Sequence, residues 1–318
     1  MDCGSTEIAF DCSSYRLFMD GRVERRACRM DTTPAGFDAD TGVTSKEVVI
    51  DVATGATARL YLAPVQQGDS AKLPILVFCH GGHFIVGSAG EPTYHRYVNT
   101  LVARARVVAV SVEYRLAPEH PLPAAYDDSW AALKWAVSGA DPWLSSHGDA
   151  GRVFLVGISA GANIVHNMAV SVGVSGLRAA ELEPPRIEGV VLLHPSFSGK
   201  ERMETEEEGF WRANNKRWAI IFPGAKDGVD DPRINPMAAG ATSLTKLAGE
   251  RLLVGTASED PRAPRAQAYV DAVLDSGWRG KVEWFESDGE GHGFFVVNPG
   301  SRKAAEVMDR VVAFLAGH

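Results

Sequence analysis

The pentapeptide Gly157-Ile158-Ser159-Ala160-Gly161 sets a serine between two glycines, after an apolar run at 153–156 and before a helix-like stretch opening Ala162-Asn163-Ile164-Val165. A strand that turns sharply into a helix leaves such a serine at the apex with its hydroxyl exposed, as nucleophilic attack on a carbonyl requires. Each glycine stands two residues from the serine, where a side chain would collide across the turn. A serine hydroxyl is a weak nucleophile until a base takes its proton, and that base needs an acid to orient it. In the chain order serine, acid, histidine, the base is His292, set in Gly289-Glu290-Gly291-His292-Gly293-Phe294-Phe295 just after a strand-like run at 281–285. Asp260 is the candidate acid: it follows the strand-like run 251–254 by a short loop and precedes a helix starting near Arg262. Glu259 is its adjacent rival, and helix capping is the plainer role for an aspartate before a proline. Asp288 is too near His292 in sequence to approach it from the side. His194 ends another strand-like run but precedes Pro195 and reads as structural, while His147 and His318 read as solvated.

Attack on a carbonyl also builds an oxyanion, which needs N–H donors aimed in advance. His80-Gly81-Gly82-His83-Phe84 follows the apolar run 73–79, and a glycine-rich turn at a strand end brings bare backbone close enough to donate. The expected donors are the amides of Gly81, Gly82 and His83, joined by Ala160, the residue after the nucleophile. Ile158 and Phe84 adjoin these groups and are expected to touch substrate.

The elements that must hold these residues are legible as an alternation. Runs at 73–79, 107–112, 153–156, 189–193, 251–254 and 281–285 are short and almost wholly apolar, as strands buried on both faces are. Helix-length stretches lie between and after them at 93–105, 126–137, 162–172, 262–274 and 301–316. Such alternation predicts an α/β fold, a mostly parallel sheet flanked by helices, with the site at the carboxyl ends of the strands. Residues 43–51 and 56–62 read as a strand pair around Ala53-Thr54-Gly55. Residues 196–249 break the rhythm and are too long for a bare loop, so they read as an inserted helical cap. Residues 1–40 mix charges with apolar patches and read as a segment packed onto the body, so that 1–318 forms a single domain.

Composition narrows the partners. With 45% hydrophobic and 23% charged residues the chain has ordinary globular character, and a net charge of −8 disfavours nucleic acid or an anionic membrane surface. No apolar stretch approaches the roughly 20 residues that cross a bilayer, and the acidic start Met1-Asp2-Cys3-Gly4-Ser5-Thr6-Glu7 carries no secretory pattern. The four cysteines match no zinc spacing, which fits a reduced, cytoplasmic chain with no metal or cofactor, acting as a monomer or homodimer on a small molecule.

With these residues placed, the chain resembles the plant carboxylesterases of the hormone-sensitive-lipase group of α/β-hydrolases over nearly its whole length. The resemblance rests on Pro92-Thr93-Tyr94-His95-Arg96-Tyr97, on the block from Glu113-Tyr114-Arg115-Leu116-Ala117-Pro118-Glu119-His120 through Ala125-Tyr126-Asp127-Asp128, and on Gly161-Ala162-Asn163-Ile164. Leu192-Leu193-His194-Pro195, Asp231-Pro232-Arg233-Ile234-Asn235-Pro236 and Gly291-His292-Gly293-Phe294 extend it. It implies an α/β-hydrolase fold, a triad of Ser159, Asp260 and His292, an oxyanion loop at Gly81, Gly82 and position 83, and an N-terminal segment folded over the site. It implies hydrolysis of small carboxylic esters without a cofactor. It also admits a gibberellin-receptor-like binding protein, a hydroxyisoflavanone-dehydratase-like lyase and a hydrolase of hormone-like lactones such as strigolactones. Retention of His292 speaks against the receptor, which has lost that histidine. Two departures stand out: His83 replaces a usual glycine, where positive φ would strain it, and Ile158 replaces a usual aspartate.

Overall fold

Strands apolar on both faces need cover on both faces, and the chain supplies it. The computed structural model describes residues 6–26, 31–65, 71–177 and 185–317. Eight of its strands are β4 (Thr44–Asp51), β5 (Ala56–Leu62), β6 (Leu73–Cys79), β7 (Val108–Glu113), β8 (Gly148–Ile158), β9 (Ile187–Leu193), β10 (Arg251–Ala257) and β11 (Lys281–Ser287). They form one sheet in the order β4-β5-β7-β6-β8-β9-β10-β11, in which β5 is antiparallel to both its neighbours and the other pairs are parallel. The pleat then sorts side chains by parity. On β8, Val153 and Leu155 enter one core while Phe154, Val156 and Ile158 enter the other.

The helices are α1 (Pro92–Ala105), α2 (Ala124–Ser138), α3 (Pro142–His147), α4 (Ala160–Ser175), α5 (Glu208–Ile221), α6 (Ala263–Asp275), α7 (Phe294–Val297) and α8 (Arg302–Ala316). α1 packs with α8, and α2 with α4, so that the two apolar cores are closed on opposite faces. α8 shows why its sequence is a helix on a core: Val307, Val311 and Phe314 recur at helical spacing and are buried, and the Ser301 side chain accepts the Ala304 amide at its start.

The segment 196–249 carries α5 and two short 3₁₀ turns, Gly228–Asp230 and Leu244–Lys246. α5 begins where the Glu207 carboxylate accepts the Gly209 amide at 2.7 Å, and a buried Arg265–Glu206 pair at 2.6 Å ties the segment to α6. Near the N-terminus, β1 (Ile8–Asp11), β2 (Tyr15–Phe18) and β3 (Val23–Arg25) form a second, antiparallel sheet, with β1 against α5. The sequence showed apolar residues here but not strands, because runs of three or four residues give too few alternations to read. Of the cysteines, Cys12 and Cys79 are free, and Cys3 and Cys28 lie outside the described residues, as does His318. No helix among the described residues is long and apolar enough to cross a membrane.

Candidate active site

Ser159 stands between β8 and α4 with φ 57° and ψ −114°, a conformation that costs a side-chain-bearing residue about 1–3 kcal/mol and persists only where its surroundings enforce it. Here they do. A Cβ on Gly157 would lie 2.3 Å from the Gly161 carbonyl oxygen, and one on Gly161 would lie 1.9 Å from that of Cys79 at the end of β6. The Ser159 amide donates to Leu193 at the end of β9 (2.8 Å), and its carbonyl accepts the Ser196 amide (3.1 Å). The turn is therefore clamped between two neighbouring strands.

His292 Nε2 lies 2.8 Å from Ser159 Oγ, and its Nδ1 lies 2.7 Å from Asp260 Oδ2. A carboxylate only accepts, so Nδ1 carries the imidazole proton and Nε2 is left to accept from the serine hydroxyl. Ser159 is only 4% exposed, whereas 23% of the His292 side chain faces solvent. Asp260 does both things the sequence allowed: Oδ1 accepts the Arg262 amide at 2.9 Å ahead of α6, and Oδ2 takes the histidine. Its rival Glu259 is exposed. The loop before His292 is pinned by the Glu259 amide on the Glu290 carbonyl at 3.0 Å.

A second histidine reaches the same carboxylate oxygen. His194 Nδ1 lies 2.8 Å from Asp260 Oδ2 and is buried, so it too donates a proton there. From its sequence context alone His194 reads as structural. A signal was available: β9 lies between the strand carrying Ser159 and the strand preceding Asp260, so the residue after its last strand position falls between the two. Burial works to raise the Asp260 pKa, but His292, His194 and Arg262 together outweigh it and hold the carboxyl well below the ordinary carboxylate range. His292 is lowered from 6.5, chiefly by burial, with Asp260 opposing and Arg262 and His194 adding to the fall. These three side chains present ligand-type atoms within 4.8 Å of one another. A metal ion there would displace both protons from Asp260 and draw the imidazole off Ser159, so the donor set suits a hydrogen-bonded line better.

The glycine-rich turn after β6 lies against the serine. A Cβ on Gly81 would come within 3.2 Å of Ser159 Cβ, and Gly82 (φ 116°) leaves no room for one beside the Val86 carbonyl. The Gly82 carbonyl accepts the amides of Ile85 (2.9 Å) and Val86 (3.0 Å), and the Tyr114 hydroxyl donates to the His80 carbonyl at 2.8 Å. Each such bond polarises a peptide whose N–H belongs to the next residue, Gly81 or His83. The amides of Gly82 and Ala160 donate to no acceptor among the described residues.

His83 has φ 59°, the strain that its glycine-like position implied. Its side chain explains how the strain is held. Arg262 Nη2 lies 2.7 Å from His83 Nε2, and a guanidinium only donates, so Nε2 accepts. Nδ1 then carries the proton and donates to the Tyr15 oxygen at 3.1 Å. Phe10 and Tyr15 pack edge-on against the ring, and Arg217 of α5 donates to the His83 carbonyl at 3.3 Å. Tyr15, Arg217 and Arg262 are all buried; the N-terminal segment holding Tyr15 is expected over the site, but the link of any of the three to His83 is not legible in the sequence, since they stand 68, 134 and 179 positions from it. Burial lowers Arg217 to about 10 and lowers Arg262 as well.

Two expected substrate contacts are corrected. Ile158 is 1% exposed and belongs to the core behind β8, and Phe84 is fully buried among Tyr114, Tyr126 and Trp218. Adjacency in sequence placed them beside the site. The pleat and the positive φ of Phe84 (65°) turn them away from it.

Residues 76–296 match the family described as alpha/beta hydrolase fold. The 2-hydroxyisoflavanone dehydratase of Glycyrrhiza echinata is 40% identical over 311 residues, covering 94% of this chain and 93% of that protein. The Arabidopsis thaliana protein named "Probable carboxylesterase 13" is 38% identical over 326 residues, covering 98% and 99%. Among solved structures, the esterase LipW from Mycobacterium marinum superposes with a TM-score of 0.73 at 26% identity, covering 88% of this chain and 83% of that one. By sequence along nearly its whole length and by sheet order, the chain belongs to the α/β-hydrolase fold family, in its plant carboxylesterase branch.

Proposed function

We propose that this protein is a serine carboxylesterase acting on small carboxylic esters through Ser159, His292 and Asp260. The observation that carries the reading is the unbroken line Ser159 Oγ–His292 Nε2 (2.8 Å) and His292 Nδ1–Asp260 Oδ2 (2.7 Å). His292 removes the hydroxyl proton as Ser159 attacks the ester carbonyl, and Asp260 stabilises the imidazolium and holds its tautomer. The amides of Gly82 and Ala160, with those of Gly81 and His83, receive the oxyanion. His292 then returns the proton to the leaving alcohol, and a water deprotonated by the same imidazole releases the acid. His194 steadies the carboxylate through the same oxygen that holds His292. α5 and the β1–β2 hairpin act as a cap whose Tyr15 and Arg217 brace the oxyanion loop through His83.

The test is hydrolysis of p-nitrophenyl acetate and butyrate by the wild type and Ser159→Ala. Loss of the nucleophile lowers kcat by roughly 10⁴–10⁶-fold. Unchanged turnover in the variant removes Ser159 from the mechanism. An inactive wild type that binds a small acid tightly points to a binding protein, although such a protein gives no reason to keep His292 within 2.8 Å of Ser159.

A second reading is favoured by the relative named 2-hydroxyisoflavanone dehydratase, 40% identical over 311 residues. The same base and oxyanion donors serve proton abstraction beside a carbonyl. Faster turnover of 2-hydroxyisoflavanones than of any ester selects the lyase.

A further inference from the structure

On the face of the sheet away from α4, a cavity of 380 Å³ opens between α1, α7 and α8. That is a ligand-sized space, at the small end of the roughly 300–1,000 Å³ usual for small-molecule pockets. Tyr97, Phe295, Ala304 and Met308 give it an apolar wall, and Thr100 and Arg96 contribute polar groups.

Two of these groups lack the partners that their chemistry calls for. Tyr97 is 6% exposed, and its hydroxyl has no hydrogen-bond partner among the described residues, whereas buried polar groups are ordinarily satisfied. Arg96 is exposed and has neither an ion pair nor a hydrogen bond among the described residues. The cavity's other guanidinium, Arg104, is already neutralised by Asp309 at 2.7 Å. One uncompensated positive charge therefore borders an apolar space walled in part by Tyr97.

We propose that this cavity binds an amphiphilic monocarboxylate, with its hydrocarbon chain against Tyr97, Phe295 and Met308 and its carboxylate on Arg96. A guanidinium matches a carboxylate in charge and in its paired donor geometry. The chain length is limited by the volume, which suits a medium-length alkyl chain or a single ring. The cavity is separate from the triad by two side chains: Phe295 packs on Tyr97 (5.6 Å between rings) and on His194 (5.4 Å), and His194 holds Asp260. Binding there does not depend on what Ser159 does.

The experiment is calorimetric titration of the full chain with sodium octanoate. Wild type binds one octanoate that is lost, or weakened about tenfold, in Arg96→Gln. Ala305→Trp, on the exposed side of α8 where it lines the same cavity, fills the space and abolishes that site. Both variants are first matched to the wild type in thermal unfolding. Octylamine, with the opposite charge on the same chain, does not bind. No octanoate uptake, uptake equal in all three proteins, or equal uptake of octylamine overturns the proposal.

Discussion

Replacing His83 separates two forces that the wild type holds in balance. The backbone there has φ 59°, which a residue with a Cβ adopts at a cost of roughly 1–2 kcal/mol and glycine adopts freely. Against that strain stand two side-chain hydrogen bonds, to Arg262 at 2.7 Å and Tyr15 at 3.1 Å. Arg262 is buried and its Nε already lacks an acceptor, so it cannot turn to another partner without rearrangement. A buried charged donor stripped of its acceptor costs about 1.5–3 kcal/mol, and the tyrosine hydroxyl about 1 kcal/mol more. His83→Ala keeps the strain and loses both bonds, so it should be destabilised by about 3 kcal/mol. His83→Gly loses the same bonds but relieves the strain, so its deficit should be smaller by about 1–2 kcal/mol. Urea unfolding followed by tryptophan fluorescence measures both. The His83 amide survives in each, so kcat/KM for p-nitrophenyl butyrate should fall only about tenfold, short of the roughly 10²–10³ that a lost oxyanion donor costs. Equal stability of the alanine and glycine variants would refute the strain, and wild-type stability in both would refute the bracing.

Three further outcomes follow from the site. His194→Ala leaves Asp260 with one imidazole donor where it had two at 2.7 and 2.8 Å, so kcat should fall about tenfold at unchanged KM; a change in KM alone would count against a positioning role. His292 must be neutral to act, and its pKa is lowered, chiefly by burial, so activity is full above that value and is lost as pH falls through it. The acid limb of kcat/KM should therefore lie below 6.5, the ordinary histidine value, and a limb at or above 6.5 would contradict the burial argument. Gly161→Ala forces a methyl to within 1.9 Å of the Cys79 carbonyl, which is backbone and cannot swing aside. The variant should lose more than about 3 kcal/mol, and a wild-type melting temperature would show that the strand ends can part.

What the sequence disclosed follows the range of the forces involved. Ser159, Asp260 and His292 were legible because each is marked locally, by glycines at collision points or by a loop at the end of an apolar strand. The sheet was legible for the same reason: a run such as 189–193 buries both faces and leaves no polar residue to interrupt it. Ile158 and Phe84 misled because nearness along the chain says nothing about which way a side chain points. The alternation Phe154, Val156, Ile158 already placed Ile158 on the far face. His194, Tyr15, Arg217 and Arg262 carry no local mark, since each acts through a contact many tens of residues away that exists only once the sheet order is known.

The oxyanion loop is where these distant contacts converge, and that has a structural consequence. His83 is bonded by Tyr15 from the N-terminal hairpin, by Arg217 from α5 and by Arg262 from the segment after Asp260. β3 adds a further tie: Arg25 donates to the Ile85 carbonyl at 2.7 Å and pairs with Glu119 at 2.6 Å, on the flank of the same loop. A loop built only of glycines holds its shape through backbone bonds; this one, with a strained histidine in its third place, depends on side chains from three separate parts of the chain. Arg262 depresses the basicity of Arg217, and among the described residues the carboxylate paired with Arg262 is Asp260 at 3.8 Å, already engaged by two histidines. Nε2 of His83 supplies Arg262 with an acceptor in that setting, at 2.7 Å. Glycine at this position would free the backbone but leave Arg262 Nη2 without the acceptor it has in His83, so the histidine and the buried arginine form one unit.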